Sequence, residues 1–387
     1  MDSVPATRAA VSHSVRTDRS VRPSVVLWLI GNRLTLFLLV FLALSLFPHL
    51  LVPGACVTNP QHPIFDGWIR WDAGWYHQIA STGYDNLPNG EGQRDTAFFP
   101  LFPLLTHVLG RVIGHFGIAG LLVANLSGLW ACVLLFRLTG RRFGTAVAER
   151  TLLLLLFFPY SFYLSSMHTE PLFLCWVVLA FYCADNRQWL RAALSAACAS
   201  ATRSVGVLVT LGLLVAYLES IEYDLRRMRA DVLYLLLCPL GLMGYMLFLW
   251  KRFGTPLQFV YSQVAHGWAG SAFVKHPGTE STWTHSLLSW FLRLQFGHLL
   301  ALGTITLLVT MRRRLPLSFV LWAVVTLCVS MSSPGSLGRF LIVVFPAFIA
   351  LALLPWPRKV WIAVLTLSGA LLAMNAVKQS LGQWVAG

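Results

Sequence analysis

The sequence predicts an all-α polytopic membrane protein, and two observations carry that reading. Of its 387 residues, 57% are hydrophobic and only 11% are charged, too little polar surface to cover a soluble globule of this size. The run from Val25 to Val52, uncharged apart from Arg33 near its inner end, is long enough to cross about 30 Å of hydrocarbon, and similar runs recur to the C-terminus. No stretch has room for a large soluble domain. Residues 24–387 therefore read as one membrane-embedded domain, preceded by a disordered cytoplasmic tail, 1–23, in which Arg8, Arg16, Arg19 and Arg22 show no apolar periodicity.

The net charge of +14 does not imply a nucleic-acid partner, because the basic residues fall in short clusters between apolar runs, as cytoplasmic loops do under the positive-inside rule. "PGAC" at 53–56 is a poor lipoprotein cleavage site, since Pro53 fits badly and the preceding apolar run is too long, so the first span reads as an uncleaved signal anchor. The seven cysteines are scattered, with Cys56 alone in an expected outside loop, and no disulfide or metal pattern follows. The "NLS" tripeptide at 125 lies inside an apolar run and has no glycosylation meaning there.

If every basic cluster lies inside, the number of crossings between successive clusters is even. Two spans, near 24–47 and 118–138, separate the tail from "FRLTGRR" at 136–142, so residues 48–116 form a large outer loop. Within it "WYHQIASTGY" is expected to be a short interfacial helix, and "AFFPLFPLLTHVLG", broken by Pro100 and Pro103, a re-entrant or surface-lying one. Between Arg150 and Arg187 an even count turns the apolar stretch into a hairpin, with "SSMHTEP" and its His168 and Glu170 at the outer turn. Between Arg191 and "RRMR" at 226–229, parity requires two short helices meeting near "ATRSVG", which lifts Arg203 to the outer face. Spans near 232–250 and 287–310 enclose a second outer loop, 251–286, and a pair near 317–331 and 339–354 puts Arg339 outside before a last span. The expected total is roughly eleven helices, N-terminus inside and C-terminus outside.

Asp72, Glu170, Arg203, Gln263 and Arg339, far apart in sequence, thus all fall at the outer boundary, while the midplane is nearly free of charge. A transporter is expected to carry ionisable residues in broken helices at the midplane, so this pattern counts against a flippase or transporter of a lipid-linked sugar. Asp72 has no HExxH and only Asp66 as a near carboxylate, and Arg70 is its evident salt partner. A glycosidase needs two carboxyls, whereas a transferase whose leaving group is already a phosphate needs one base, with arginines to stabilise the departing charge. Trp71, Trp75 and Tyr76 suit both a membrane interface and a sugar ring. His77 and His107 read as interfacial, since neither has a partner at metal-ligand spacing.

"RWDAGWYHQIASTGY…AFFPLFPLL" resembles the first-loop signature of the class V phosphatidylinositol-glycan mannosyltransferases and their bacterial relatives. "FFPYSFYLSSMHTEPLF", "ATRSVGVL", "FGTPLQFVYSQVAHGW" and "GRFLIVVFP" are similar to further segments of that family in the same order, covering about residues 65 to 350. The resemblance implies a GT-C fold, a polyprenyl- or dolichyl-phosphate sugar donor with mannose as the sugar, inversion at the anomeric carbon, and Asp72 as the catalytic base. It implies that Glu170 orients the acceptor or supports the base and that Arg203 and Arg339 face the donor phosphate. Arg70, Trp71, Trp75, Tyr76, His168 and Gln263 complete the candidate substrate contacts, and Gln263 and Trp268 read equally as loop packing residues. His168 stands where the family often has Tyr and Val205 where Asn is common, so acceptor contacts differ. No metal or other cofactor is expected. The expected acceptor is a glycolipid, a glycan or a protein, and the expected place is the outer face of a bacterial cytoplasmic membrane, or the lumenal face of the endoplasmic reticulum in a eukaryote. A GT-C transferase using another sugar is the enzymatic alternative.

Overall fold

The structure is a computed structural model that describes residues 22–52, 63–89, 92–265, 296–331 and 336–385. Most of the expected tail, the second half of the 251–286 loop with Trp268, and the start of the span expected near 287 lie outside these residues. Helix α1 (Pro23–Leu46) opens on a proline at its first position, where the missing N–H costs nothing. Its 24 residues make a rod of about 36 Å, and Leu27 and Leu34 on its outer face are 69% and 65% exposed, as a lipid-facing surface requires.

A single turn, α2 (Pro63–Asp66), leads to α3 (Asp72–Thr82) and α4 (Leu101–Ile113). In α4 Phe102, Thr106 and Gly110 are buried while Leu104, Val108 and Val112 are exposed, the two-faced pattern of a helix against a bundle and an apolar medium. His107 donates from Nδ1 to the Ala80 carbonyl at 2.6 Å and fastens α4 to α3, a structural use of that histidine. Helices α5 (Phe116–Phe143), α6 (Thr145–Phe157) and α7 (Glu170–Asp185) follow, and α6 and α7 both pack on α5.

The run after Arg191 is broken where parity required it. Helix α8 (Trp189–Thr202) ends at the extended Arg203, a 3-10 turn spans Ser204–Leu208, and α9 (Val209–Ser220) returns. Gly206 makes this turn possible, because a Cβ there would stand 2.3 Å from the Ala199 carbonyl. A 3-10 stretch, Ala230–Leu237, then leads past Pro239 into α10 (Leu240–Phe253), and α11 (Gln258–Ala265) packs back on the first loop. There Tyr245 donates to the Thr96 carbonyl at 2.9 Å, and the Thr96 and Ser262 hydroxyls meet at 2.8 Å. Helices α12 (Phe296–Thr310) and α13 (Leu317–Ser330) complete that side.

The span expected at 339–354 is not one helix. It divides into α14 (Leu337–Phe340), a 3-10 turn at Leu341–Val343 and α15 (Phe345–Ala352), because Pro346 in the first turn of α15 cannot donate back into a continuous helix. Helix α16 (Arg358–Ser380) is the last. Among the described residues four helical stretches have the length and apolarity to cross a membrane alone: Pro23–Leu46, Phe116–Phe143, Ala230–Phe253 and Arg358–Ser380. The shorter legs are sheltered by their neighbours, which lets them end where a site needs their termini.

The polar contacts sort themselves to two ends of the bundle. At one end Arg22 pairs with Glu149 at 3.0 Å, Arg142 with Asp185 at 2.6 Å, and Arg187 donates to the Ser220 carbonyl at 3.0 Å. These bonds tie the start of α1 to that of α6, and the ends of α5, α7 and α9 to one another. At the other end the start of α7, the end of α8, α14 and the end of α16 converge on α3, and Val52 N donates to the Leu381 carbonyl at 2.9 Å. The legs alternate in direction, so residues spread from 72 to 339 meet at the end away from the arginine clusters.

Candidate active site

Asp72 is the first residue of α3, and Trp71 before it has φ +57° and ψ −121°. With Ala73 N donating to the Arg70 carbonyl at 3.1 Å, residues 70–73 make a type II′ turn, whose second position normally demands glycine. A tryptophan held there stores roughly 1–3 kcal/mol of strain, and such strain persists where surrounding contacts over-determine it. The Trp71 indole packs edge-on to Trp384 at 5.2 Å, and the Trp384 ring in turn lies 6.0 Å from the Arg339 guanidinium. The turn therefore aims Asp72 across the floor of the site, at Arg339.

Four ionised groups of alternating sign follow one another. Arg339 Nη2 is 2.6 Å from Asp72 Oδ2, Arg339 Nε is 3.5 Å from Glu170 Oε1, and Arg203 Nη1 is 2.6 Å from the same Glu170 oxygen. Arg203 also donates to Thr169 Oγ1 at 3.1 Å, and the Tyr76 hydroxyl stands 3.3 Å from that atom. Tyr76 lies one helical turn beyond Asp72 on the same face of α3. Burial pushes its phenol pKa well up, so the hydroxyl stays protonated. The ring of Phe340 stacks under both guanidinium groups, 4.5 Å from that of Arg203 and 5.4 Å from that of Arg339.

Exposure separates the two carboxylates. The Asp72 side chain keeps 9% of its surface open, whereas that of Glu170 keeps 1%. Asp72 keeps a small opening that Glu170 lacks, and Glu170 is the buried counter-ion that holds both arginines in place.

A family model described as Mannosyltransferase (PIG-V) matches residues 24–293 of the sequence. The chain belongs to that family. No curated protein matches it. Among solved structures, ArnT from Cupriavidus metallidurans, crystallised with undecaprenyl phosphate, is 16% identical and superposes with a TM-score of 0.54 over 94% of this chain and 77% of that one. The oligosaccharyltransferase of Archaeoglobus fulgidus is 14% identical, with a TM-score of 0.46 over 91% of this chain and 53% of that one. The protein is thus a membrane glycosyltransferase of the GT-C fold, an all-α architecture that its sequence pattern also required.

This mannosyltransferase-family member does not use all the sequence-level candidates in one place. Arg70 does not pair with Asp72. Its side chain is 1% exposed, ion-paired with Asp66 one turn earlier, and its Nε donates to the Ser380 carbonyl at 3.0 Å, so it braces α2 against the end of α16 beneath the site. The guanidinium that takes Asp72 comes instead from α14. Trp75 stacks on Phe98 at 5.8 Å, and Gln263 donates to the Ala97 carbonyl at 3.3 Å, so both support the loop wall against which Tyr76 packs. Trp71 is 43% exposed and touches Trp384 at the rim. Thr169, Tyr163, Phe340 and Trp384 were not singled out in the sequence. Thr169 sits beside Glu170 in "HTEP", while Trp384 follows the last helix with no motif around it.

His168 lies in the turn between α6 and α7, its Nδ1 2.9 Å from Ser166 Oγ and its ring 4.8 Å from that of Tyr163. Burial lowers its pKa from 6.5 to about 4, and the nearby arginines oppose the help it gets from Glu170. The folded protein therefore binds this proton less readily than the unfolded chain. Its stability is complete above about pH 6.5 and falls as the pH drops towards 4, by up to roughly 3 kcal/mol. His168→Gln is expected to flatten that acid limb, as read by thermal unfolding in detergent at pH 4.5 and pH 7.5. An unchanged pH dependence would show that other groups set it.

Proposed function

We propose that the protein transfers a sugar, mannose by its family, from a polyprenyl- or dolichyl-phosphate donor to an acceptor hydroxyl, with inversion at the anomeric carbon and Asp72 as general base. The observation that carries the reading is the Asp72 carboxylate, 9% exposed, ion-paired with Arg339 and followed by Glu170, 1% exposed, and the half-buried Arg203. The acceptor oxygen attacks the anomeric carbon from the face opposite the phosphate. Its proton passes to Asp72, the bond from that carbon to the phosphate oxygen breaks, and the electron pair leaves with the lipid phosphate. Arg203 and Arg339 supply the positive charge that the departing phosphate requires. One phosphate is matched by these two guanidinium groups, so the reaction needs no divalent ion. That ArnT was crystallised with undecaprenyl phosphate supports the lipid-phosphate class of donor.

The cluster lies at the end of the bundle away from the arginines that the positive-inside rule assigns to the cytoplasm, which supports an outward-facing site. Donor and acceptor meet there at the membrane surface, the acceptor being a glycolipid, a glycan or a protein. Incubating the purified protein with polyprenyl-phosphate-mannose and membrane extracts tests the proposal. Free polyprenyl phosphate and a mannosylated product of inverted configuration are expected. Movement of the intact donor between leaflets without its cleavage would overturn the transferase reading.

A further inference from the structure

In this structure the guanidinium proposed for the donor phosphate already holds the carboxylate proposed as base. Arg339 Nη2 lies 2.6 Å from Asp72 Oδ2, and the two side chains are each only 9% exposed. Oδ2 is thereby turned to the guanidinium and its charge shared with it, which leaves only Oδ1 for an incoming hydroxyl. The rings of Tyr163, Phe340 and Trp384 stand 5.8, 5.4 and 6.0 Å from the Arg339 guanidinium, so it sits in an aromatic collar where charge is poorly screened and an anionic partner is strongly held. The nearby alternative, Glu170 Oε1 at 3.5 Å, is already taken by Arg203 at 2.6 Å.

We infer that Arg339 is exchanged between two anions: it closes on Asp72 in the empty enzyme and moves to the phosphate of the lipid donor on binding, which frees Asp72 to accept the proton. The inference rests on the lipid-phosphate reading above. Phosphate and carboxylate present the same paired-oxygen geometry to a guanidinium fork, so one replaces the other without rebuilding the site. Asp72, Glu170, Arg203 and Arg339 together are neutral, and the phosphodiester adds one negative charge. Asp72 then faces the electron-poor anomeric carbon with its charge unshared. The base becomes available only when the donor is in place, so the donor binds before the acceptor is activated.

Because the donor must displace Asp72, removal of that carboxylate is expected to tighten phosphate binding even as it abolishes transfer. The measurement is the affinity of purified, full-length protein in nanodiscs for polyprenyl phosphate, comparing wild type with Asp72→Asn, Asp72→Ala and the charge-keeping Asp72→Glu. Binding about tenfold tighter in Asn and Ala, with Glu close to wild type, is the expected result, the size of a lost charge-assisted competitor. Equal or weaker binding in Asn and Ala would overturn the exchange and leave the donor reading standing. No binding of polyprenyl phosphate by any of the proteins would overturn both. Should the Asn and Ala variants not fold, carbodiimide labelling of Asp72 in the wild type decides instead. Labelling is expected to rise when polyprenyl phosphate is added, and unchanged or reduced labelling counts against the exchange.

Discussion

Asp72→Asn is expected to lower the rate of mannose transfer from polyprenyl-phosphate-mannose by about a hundredfold or more while leaving the fold intact. The substitution keeps the size and planarity of the side chain, and an amide oxygen can still accept from Arg339, but it cannot take a proton from the acceptor hydroxyl. Measured as radiolabel transferred by equal amounts of folded protein, such a loss identifies Asp72 as the base. Activity equal to wild type would move that role to Glu170. The buried state of Glu170, with 1% of its side chain exposed, makes that outcome the less compatible one with the geometry. The direction of this effect is opposite to the gain in lipid-phosphate affinity expected of the same variant. A merely unfolded protein cannot produce the two together.

How much of this arrangement was legible beforehand depends on which physical constraint set each part. The grouping of Asp72, Glu170, Arg203 and Arg339 at one end follows from counting crossings between arginine clusters, because lipid tolerates charge only at its borders. The break after Thr202 follows from the same count, and Gly206 marks it in the sequence. The pairing inside the group was not legible. Arg70 stands two residues from Asp72, yet at i,i+4 on the adjoining turn it meets Asp66, and the partner of Asp72 comes from 267 residues further along. Such a pairing depends on how α14 and α3 pack, and no local preference encodes it. The left-handed backbone at Trp71 was equally hidden, since the residue contradicts the preference of the turn it forms. Pro346 was visible, but within an apolar run it read as part of one span, whereas it divides α14 from α15 and leaves Arg339 at the site.

Glu170 separates structure from chemistry most sharply. Its carboxylate accepts from Arg203 at 2.6 Å and lies 3.5 Å from Arg339, so Glu170→Ala leaves the half-buried Arg203 guanidinium beside Phe340 with no counter-charge of its own. Deleting one partner of a fully buried ion pair costs about 3–5 kcal/mol, and the partial exposure of Arg203 sets the cost here below that range. Glu170→Ala is therefore expected to unfold at a clearly lower temperature than the wild type and to transfer almost nothing, because Arg203 and Arg339 lose the atom that spaces them. Glu170→Gln retains an acceptor oxygen for Arg203 and the volume of the side chain, so it is expected to recover part of the stability and a measurable rate, well above that of Asp72→Asn. Thermal unfolding and initial rates on the three folded variants distinguish the roles. If Glu170→Gln were stable and as inactive as Asp72→Asn, Glu170 would take part in proton transfer. If Glu170→Ala were as stable as the wild type, the alternating ion chain would not be what holds α7, α8 and α14 together. The expected order, with Asp72 decisive for rate and Glu170 for stability, follows from the difference between them: Glu170 is fully enclosed between two arginines, whereas Asp72 keeps 9% of its side chain exposed and pairs with one arginine.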